Sequence, residues 1–189
     1  MISSNIRKIR LSNEYKEMLE IKDTPTSKWE TDGSEQEVED EYIVTLYTKT
    51  YSTPDILIDE CQLKITFPEN YPFESPIIQV VNTPLFNPLF NQYGFLENIS
   101  FDFNYSLVDC LEYIFYALQF QPGYIPEDAV SNSTSVEWYL SNKDNKALFP
   151  CDKKEFCRPL CKDDFDKNYS AESNAQDFSE SDYLPTSEL

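Results

Sequence analysis

The stretch that most constrains the fold is residues 67–76, FPENYPFESP, in which three of the ten residues are prolines. Each proline fixes its own φ angle and lacks the N–H that a helix or a β-ladder needs. The stretch is therefore predicted to form neither a helix nor a central strand. Because aromatic residues stand between the prolines, we expect a rigid connection that packs against the rest of the domain.

Strand patterns lie on both sides of this connection. In residues 61–67 every second side chain is apolar, which is the period of a strand with one buried face. The apolar positions are Cys61, Leu63, Ile65 and Phe67. Residues 77–81, IIQVV, form a short run of mostly β-branched side chains that also predicts a strand. The predicted order is strand, proline connection, strand.

This order resembles the ubiquitin-conjugating enzyme family. In that family a strand ends in F-P-x-x-Y-P-F-x-x-P, and a second strand, the tripeptide H-P-N and the sequence G-x-I-C with the catalytic cysteine follow. The first motif is matched at every specified position, by Phe67, Pro68, Tyr71, Pro72, Phe73 and Pro76. Asn87, Pro88 and Leu89 occupy the place of H-P-N, and Gly94 stands at the family's spacing from them.

The resemblance implies an α+β protein with the UBC-like fold. Such a fold has an N-terminal helix, an antiparallel four-stranded meander sheet, a central helix after the active-site-like loop, and C-terminal helices. The RWD interaction domain is an alternative, because it shares a Y-P-x-x-x-P turn. It lacks a long loop before the next helix, whereas residues 83–104 here predict one.

The positions that carry the family's chemistry hold other residues in this sequence. Asn87, Pro88 and Leu89 stand in place of H-P-N, and the nucleophile position, three residues after Gly94, holds Glu97. A carboxylate cannot replace the thiol that forms a thioester, and leucine offers no polar atom to an oxyanion. The resemblance therefore implies a catalytically inactive homologue, in which no residue is catalytic.

Cys110 leaves an alternative function open. A thiol at the start of a helix is activated by the helix dipole, so a divergent ubiquitin-like protein transferase with a relocated cysteine is conceivable. The other interpretation is a small apolar residue beside the apolar stripe of its helix. The chain contains no histidine to act as a base, which favours the second interpretation.

Three further cysteines, Cys151, Cys157 and Cys161, follow the pattern C-x5-C-x3-C. Neither spacing is the C-x2-C of a zinc knuckle. Structural zinc needs four ligands, and the chain has no histidine to add to the three thiols. We expect no metal site and no cofactor. The odd total of five cysteines in a chain without an export signal predicts reduced thiols.

The net charge of −19 is concentrated in two segments. Residues 23–41 hold eight acidic residues against one lysine, and residues 162–189 hold eight against two. We interpret the first as an acidic loop, which includes Trp29, and the second as an acidic disordered tail. A field of this sign repels phosphate, so we expect no nucleic-acid partner.

No apolar run in the sequence is long enough for a signal peptide or a membrane span. We therefore expect no membrane insertion and a cytoplasmic or nuclear location. The predicted domain organisation is a UBC-like domain over residues 5–150, a cysteine-containing extension over residues 151–161, and the tail.

Helices are predicted at both ends of the domain and in its middle. The first covers residues 5–22, with Leu11, Tyr15, Met18 and Leu19 on one face. The second begins after Ser106, with Asp109 completing a capping box, and ends at residues 121–123. Its apolar stripe is Leu107, Leu111, Ile114, Phe115 and Leu118.

Patterns in three further segments complete the assignment. Residues 42–48 predict a strand, and residues 50–59, with Pro54, predict the turn that follows it. Pro126 predicts the start of one or two C-terminal helices, although residues 131–135 are poor helix formers. The apolar positions of these helices are Ala129, Val130, Val136, Tyr139 and Leu140.

Inactive relatives of the conjugating enzymes suggest three kinds of partner. Conjugating-enzyme variants bind ubiquitin or pair with an active conjugating enzyme. The fused-toes (AKT-interacting protein) family instead serves as an adaptor for Hook-type coiled-coil proteins in vesicle transport. Residues 86–89, FNPL, resemble the F-H-P-L of that family. The expected function is a non-catalytic binding or scaffold module.

Overall fold

The computed structural model of the chain describes residues 2–29, 40–97, 104–125, 132–145, 147–149 and 154–158. The helices are α1 (Ile2–Glu20), α2 (Leu107–Leu118) and α3 (Ser133–Asn142). The strands are β1 (Ser27–Trp29), β2 (Glu41–Leu46), β3 (Thr50–Thr53), β4 (Ile56–Ile58), β5 (Cys61–Thr66) and β6 (Ile77–Val80). The predicted tail, residues 162–189, lies outside the described residues and stays a prediction.

Four of the strands form one sheet in the order β1–β2–β5–β6, and every neighbouring pair is antiparallel. Helix α1 precedes this sheet, and α2 follows the long connection after β6. The predicted α+β class, with an N-terminal helix and an antiparallel four-stranded sheet, is confirmed. The described elements follow the order that the resemblance implied.

The core lies between α2 and one face of the sheet. Helix α2 buries the whole predicted stripe, because leucine, isoleucine and phenylalanine recur on one side of it. The stripe packs in one cluster with the inward-facing side chains of β2, β5 and β6. The predicted capping box is also confirmed: Ser106 Oγ accepts from Asp109 N, and the Asp109 carboxylate accepts from Ser106 N at 2.7 Å.

The predicted N-terminal helix is confirmed as α1, but one of the residues predicted to lie on its buried face is exposed. Leu11 and Met18 are buried and Tyr15 packs against the core, whereas Leu19 is 43% exposed. The side chain that points inward instead is Glu14, which is 1% exposed. Hydrophobic periodicity cannot assign a carboxylate to the interior, because only its polar partners make such burial favourable.

Those partners come from three separate parts of the chain. Glu14 Oε1 accepts from Arg10 Nε at 2.6 Å and from Tyr71 Oη at 2.5 Å, and Glu14 Oε2 accepts from Leu107 N at 2.6 Å. Leu107 is the first residue of α2, whose N-terminus attracts negative charge. One buried carboxylate therefore joins α1, the proline connection and α2.

The interpretation of Trp29 as part of an acidic loop is wrong. Ser27–Trp29 forms the edge strand β1, and the indole is buried, with Nε1 donating to Met18 O at 2.8 Å. Its ring lies edge-on to Tyr15 and Tyr42. A three-residue strand is too short to show a period, so the surrounding charges concealed it. Residues 30–39 lie outside the described part of the chain.

The segment predicted as a simple turn, residues 50–59, is a hairpin. Strands β3 and β4 pair antiparallel in a separate two-stranded sheet, and Pro54 lies in the turn between them, where no ladder N–H is needed. The hairpin presents Ile56 and Leu57 to solvent.

Helix α3 begins inside the stretch that composition made a poor helix former. Asn132 caps it, because its side chain accepts from Ser135 N, and Ser135 itself is buried. Val136 and Tyr139 are buried as predicted, whereas Leu140 is exposed. Pro126, Ala129 and Val130 lie outside the described residues.

Residues 154–158, here named the C-terminal strap, lie against the core. Phe156 is 6% exposed and its ring centroid is 5.4 Å from that of Phe115 in α2. Arg158 pairs with Asp109 and Glu112 on the same helix. From the sequence these residues were predicted to lie in an extension beyond the domain, with no packing role.

The proline connection is held from two sides. Tyr71 is 1% exposed, and its ring lies 4.7 Å from that of Phe67. Arg7 of α1 donates to the carbonyl oxygens of Pro68 and Phe67 at 3.0 and 3.2 Å. Phe73 differs from the other motif aromatics, because it is 72% exposed.

Substitution of Tyr71 separates the role of its ring from that of its hydroxyl. We expect Tyr71→Ala to lower the free energy of unfolding by about 3 kcal/mol, because a buried ring is lost. We expect Tyr71→Phe to cost about 1–2 kcal/mol, because one hydrogen bond to a buried carboxylate is lost. Urea denaturation measures both. The matched control is Tyr93→Phe, at an exposed ring. An unchanged free energy of unfolding for Tyr71→Ala would contradict the packing of this ring.

Candidate functional site

The candidate site is the loop from Asn87 to Glu97, which follows β6. Asn87 is fully buried and fixes the start of the loop. Its Nδ2 donates to Ala117 O at 2.9 Å, and its Oδ1 accepts from Leu89 N at 3.0 Å. The side chain therefore attaches the loop to the last turn of α2.

A second asparagine shapes the middle of the loop. Asn91 Oδ1 accepts from Tyr93 N and Phe95 N, at 2.9 and 3.0 Å, which folds the chain into a tight turn. Gly94 has φ +81°, and a Cβ there would lie 3.2 Å from Val80 O. A glycine is thus required both by the backbone angle and by the close approach to β6.

After this turn the chain returns along β6. Val80 N donates to Gly94 O and Leu96 N donates to Ile78 O, each at 2.9 Å. Glu97 N then donates to Leu89 O at 2.9 Å. The structure therefore brings together Leu89 and Glu97, the two positions at which the resemblance predicts the H-P-N asparagine and the nucleophile.

The side chains at these two positions offer no thioester chemistry. Leu89 is fully buried. Glu97 is exposed, and its Oε1 accepts from Asn91 Nδ2 at 2.6 Å. The Asn87 amide is already bonded to α2 and to the loop backbone. Among the described residues of this loop, 87–97, none is a cysteine, and the amides of Asn87 and Asn91 are both engaged in hydrogen bonds.

Two of the described cysteines are buried away from the loop surface. Burial raises the pKa of the Cys61 thiol to about 12. Burial, together with the charges of Asp109 and Glu14, raises the pKa of the Cys110 thiol to about 12. The environment of Cys110 therefore acts against the activation that the helix dipole would supply.

The third described cysteine, Cys157, lies half-buried in the C-terminal strap. Cys151 and Cys161 lie outside the described residues. Within the part of the chain that the structure describes, no group of three or more His, Cys, Asp or Glu side chains is placed to hold a metal ion. No helix in that part is long and apolar enough to cross a membrane.

The solvent-facing side of the four-stranded sheet is a second candidate surface. This outer sheet face is defined by Glu41, Ile43, Lys64, Ile77 and Gln79. Strand register places Ile43, Lys64 and Gln79 in one row, and a bridge between Gln79 and Phe95 extends that row into the loop. Ile43 and Ile77 are exposed, and Lys64 Nζ pairs with Glu41 at 2.7 Å.

Asn91 was predicted only as part of an irregular loop, and neither the turn held by its side chain nor the exposed isoleucines of the outer sheet face were predicted from the sequence. The signal for Asn91 was available, since asparagine three residues before a glycine is typical of a turn held by a side-chain amide. Ile43 and Ile77 are apolar side chains on the side of their strands that faces solvent. The sequence of each strand alone therefore could not show which of its two faces is buried.

No protein-family model matches the sequence, and no curated protein matches it either. Among solved structures, a ubiquitin-conjugating enzyme E2 from Plasmodium falciparum is similar to this chain, with a TM-score of 0.46 and 20% sequence identity. The likeness covers 58% of this chain and 96% of the enzyme chain. The activity in its name is a property of that enzyme and is not assigned to this chain by the comparison.

The hydrogen bonds of Asn87 predict a structural cost for its loss. We expect Asn87→Ala to lower the free energy of unfolding by about 1–3 kcal/mol, because Leu89 N and Ala117 O lose a partner inside the protein. Gln92→Ala, at an exposed position in the same loop, is the matched control and should change stability by less than about 0.5 kcal/mol. Equal stabilities of the two variants in urea would contradict the anchoring role.

The raised pKa of Cys110 predicts a dependence of stability on pH. Its pKa rises from an ordinary value of 9.0 to about 12 in the folded chain. Between these values the unfolded state binds fewer protons than the folded state, so the free energy of unfolding falls as pH rises. We expect a shallower fall between pH 9 and pH 11 in Cys110→Ala than in Val108→Ala, a buried control on the same helix. Identical slopes would contradict the burial of a protonated thiol.

Proposed function

We propose that this chain is a catalytically inactive homologue of ubiquitin-conjugating enzymes that acts as a non-catalytic protein-binding module. The observation that carries the proposal is the pairing of Leu89 and Glu97 in the loop. Glu97 N donates to Leu89 O at 2.9 Å, yet the side chains are a buried leucine and an exposed carboxylate. A loop of this shape without a thiol has no group that accepts ubiquitin as a thioester.

The relocated-cysteine transferase is disfavoured by the surroundings of Cys110. Its thiol lies within the apolar cluster of α2 and is 7% exposed. At neutral pH a thiol with a pKa of about 12 is protonated and is a poor nucleophile. A charging assay distinguishes the transferase from the non-catalytic module.

Protein partners fit the exposed apolar side chains of the outer sheet face. An apolar surface rimmed by polar groups is typical of a protein-binding site. Three candidate partners follow from the sequence resemblance: ubiquitin, an active conjugating enzyme, and a Hook-like coiled-coil adaptor. These partners belong to the ubiquitin pathway or to vesicle transport, which agrees with the proposed cytoplasmic or nuclear location.

A charging assay tests the proposal. The full chain is incubated with activating enzyme, ATP and ubiquitin, with an active conjugating enzyme as the positive control. We expect no adduct that a reductant removes. We also expect no useful lysine transfer from Glu97→Cys, because Leu89 supplies no polar group to an oxyanion. A reductant-sensitive adduct that Cys110→Ser abolishes would replace the proposal with the transferase.

The binding surface has its own test. Affinities of the full chain for ubiquitin, for an active conjugating enzyme and for a Hook-type coiled coil are measured by calorimetry. We expect one of them to bind, and Ile43→Asp to weaken that binding at least tenfold. The control is Leu57→Asp, which places the same charge on the β3–β4 hairpin at a similarly exposed position. Equal effects of the two variants on binding would show that the interface does not lie on the outer sheet face.

A further inference from the structure

The C-terminal strap runs antiparallel to α2 and is held by side chains. Gln119 Nε2 donates to Lys154 O at 3.0 Å, and Phe156 N donates to Tyr116 Oη at 3.2 Å. Cys157 N donates to Thr26 Oγ1 at 3.0 Å. No β-strand and no helix includes the strap. These three backbone groups bond to side chains of the surface beneath them, and Arg158 N donates to Phe156 O at 3.1 Å within the strap.

Two strap side chains make the specific contacts. Phe156 packs on Phe115 and is almost fully buried. Arg158 lies two residues further on and reaches two carboxylates one helical turn apart: Nη2 pairs with Asp109, and Nε pairs with Glu112 Oε2 at 2.8 Å. The planar guanidinium suits such a pair of acceptors better than an ammonium group does.

The charge beneath Arg158 extends beyond α2. Glu17 of α1 adds a further electrostatic attraction to the guanidinium. The surface thus combines an aromatic anchor site, an acidic site and polar side chains that bond to an extended backbone. These are the components by which proteins recognise extended peptides, in which main-chain hydrogen bonds give affinity and side-chain sites give specificity.

We propose that this surface is a recognition groove for an extended peptide in which an aromatic residue is followed two positions later by arginine. The strap carries that pattern and occupies the groove in cis, as an intramolecular competitor. A partner protein that presents the same pattern displaces the strap. The proposal is independent of whether the chain is catalytically silent, because none of its residues belongs to the Asn87–Glu97 loop.

The structure supports displacement because the strap is short and three of its five residues are exposed. Of its two specific side chains only Phe156 is buried, and the Arg158 side chain is 41% exposed. A short peripheral segment of this kind opens at a lower free energy than the whole domain. Tethering gives the strap an effective concentration on the order of millimolar. The apparent affinity of a free peptide falls by the ratio of this concentration to the strap's own dissociation constant, so a strap that binds at about 0.1 mM or tighter weakens the peptide at least tenfold.

Fluorescence anisotropy tests the groove with the full chain. The probe is a labelled peptide of residues 153–160 in which serine replaces Cys157. We expect saturable binding to the double variant Phe156→Ala/Arg158→Ala, and at least tenfold weaker binding to the unaltered chain. Adding Glu112→Gln to the double variant should weaken binding at least tenfold, whereas the control Glu137→Gln, at an exposed position on α3, should not. Equal binding to the double variant and to the unaltered chain, or no binding to the folded double variant, would overturn the proposal.

A second measurement applies if the double variant does not fold. Hydrogen exchange of the unaltered chain compares the amides of Phe156 and Cys157 with those of the buried residues Leu111 and Ile114 in α2. We expect the strap amides to exchange at least tenfold faster, through opening of the strap alone. Equal protection would make the strap an integral part of the core, and the proposed displacement would be wrong.

Discussion

The buried carboxylate of Glu14 is the interaction on which the rest of the structure depends. It binds one side chain of its own helix, the hydroxyl of Tyr71 in the proline connection, and the first amide of α2. A buried charge is costly unless every oxygen is paired, and here both oxygens are. Burial and the hydrogen bond to Glu14 also raise the pKa of the Tyr71 hydroxyl, so it remains a donor.

This arrangement separates the stability of the fold from the chemistry of the loop. The parts joined by Glu14 are α1, the connection that ends β5, and the helix that fills the core. The loop has its own anchors, the amides of Asn87 and Asn91. None of these contacts involves a nucleophile, so the packing of the fold does not depend on the chemistry of the residue at position 97. What the architecture still provides is surface, on the sheet and along α2.

The sequence predicted the features whose signal is local. Proline geometry, the alternation in β5 and the apolar stripe of α2 each follow from a few neighbouring residues, and all three match the structure. The capping box of Ser106 and Asp109 is equally local. The placement of Gly94 and Glu97 came from spacing in a resembled motif, and the contact between Glu97 and Leu89 required the folded chain.

The features that were missed depend on partners distant in sequence. Glu14 is buried because of Tyr71 and Leu107, which lie far along the chain, and no period in α1 reveals this. Trp29 enters the core from a three-residue strand surrounded by acidic residues. Phe156 is the one buried side chain of the strap, and one aromatic residue in a polar segment predicts nothing about where it docks. In each case long-range pairing overrides the local composition.

A double-mutant cycle between Glu14→Gln and Tyr71→Phe tests most directly whether the Glu14 carboxylate holds the helix and the proline connection together. The free energies of unfolding of the unaltered chain, both single variants and the double variant are measured in urea. The carboxylate–hydroxyl contact predicts a coupling free energy of about 1–2 kcal/mol, because either substitution removes the same hydrogen bond. Additive effects, with a coupling within about 0.5 kcal/mol of zero, would contradict the central place given to Glu14.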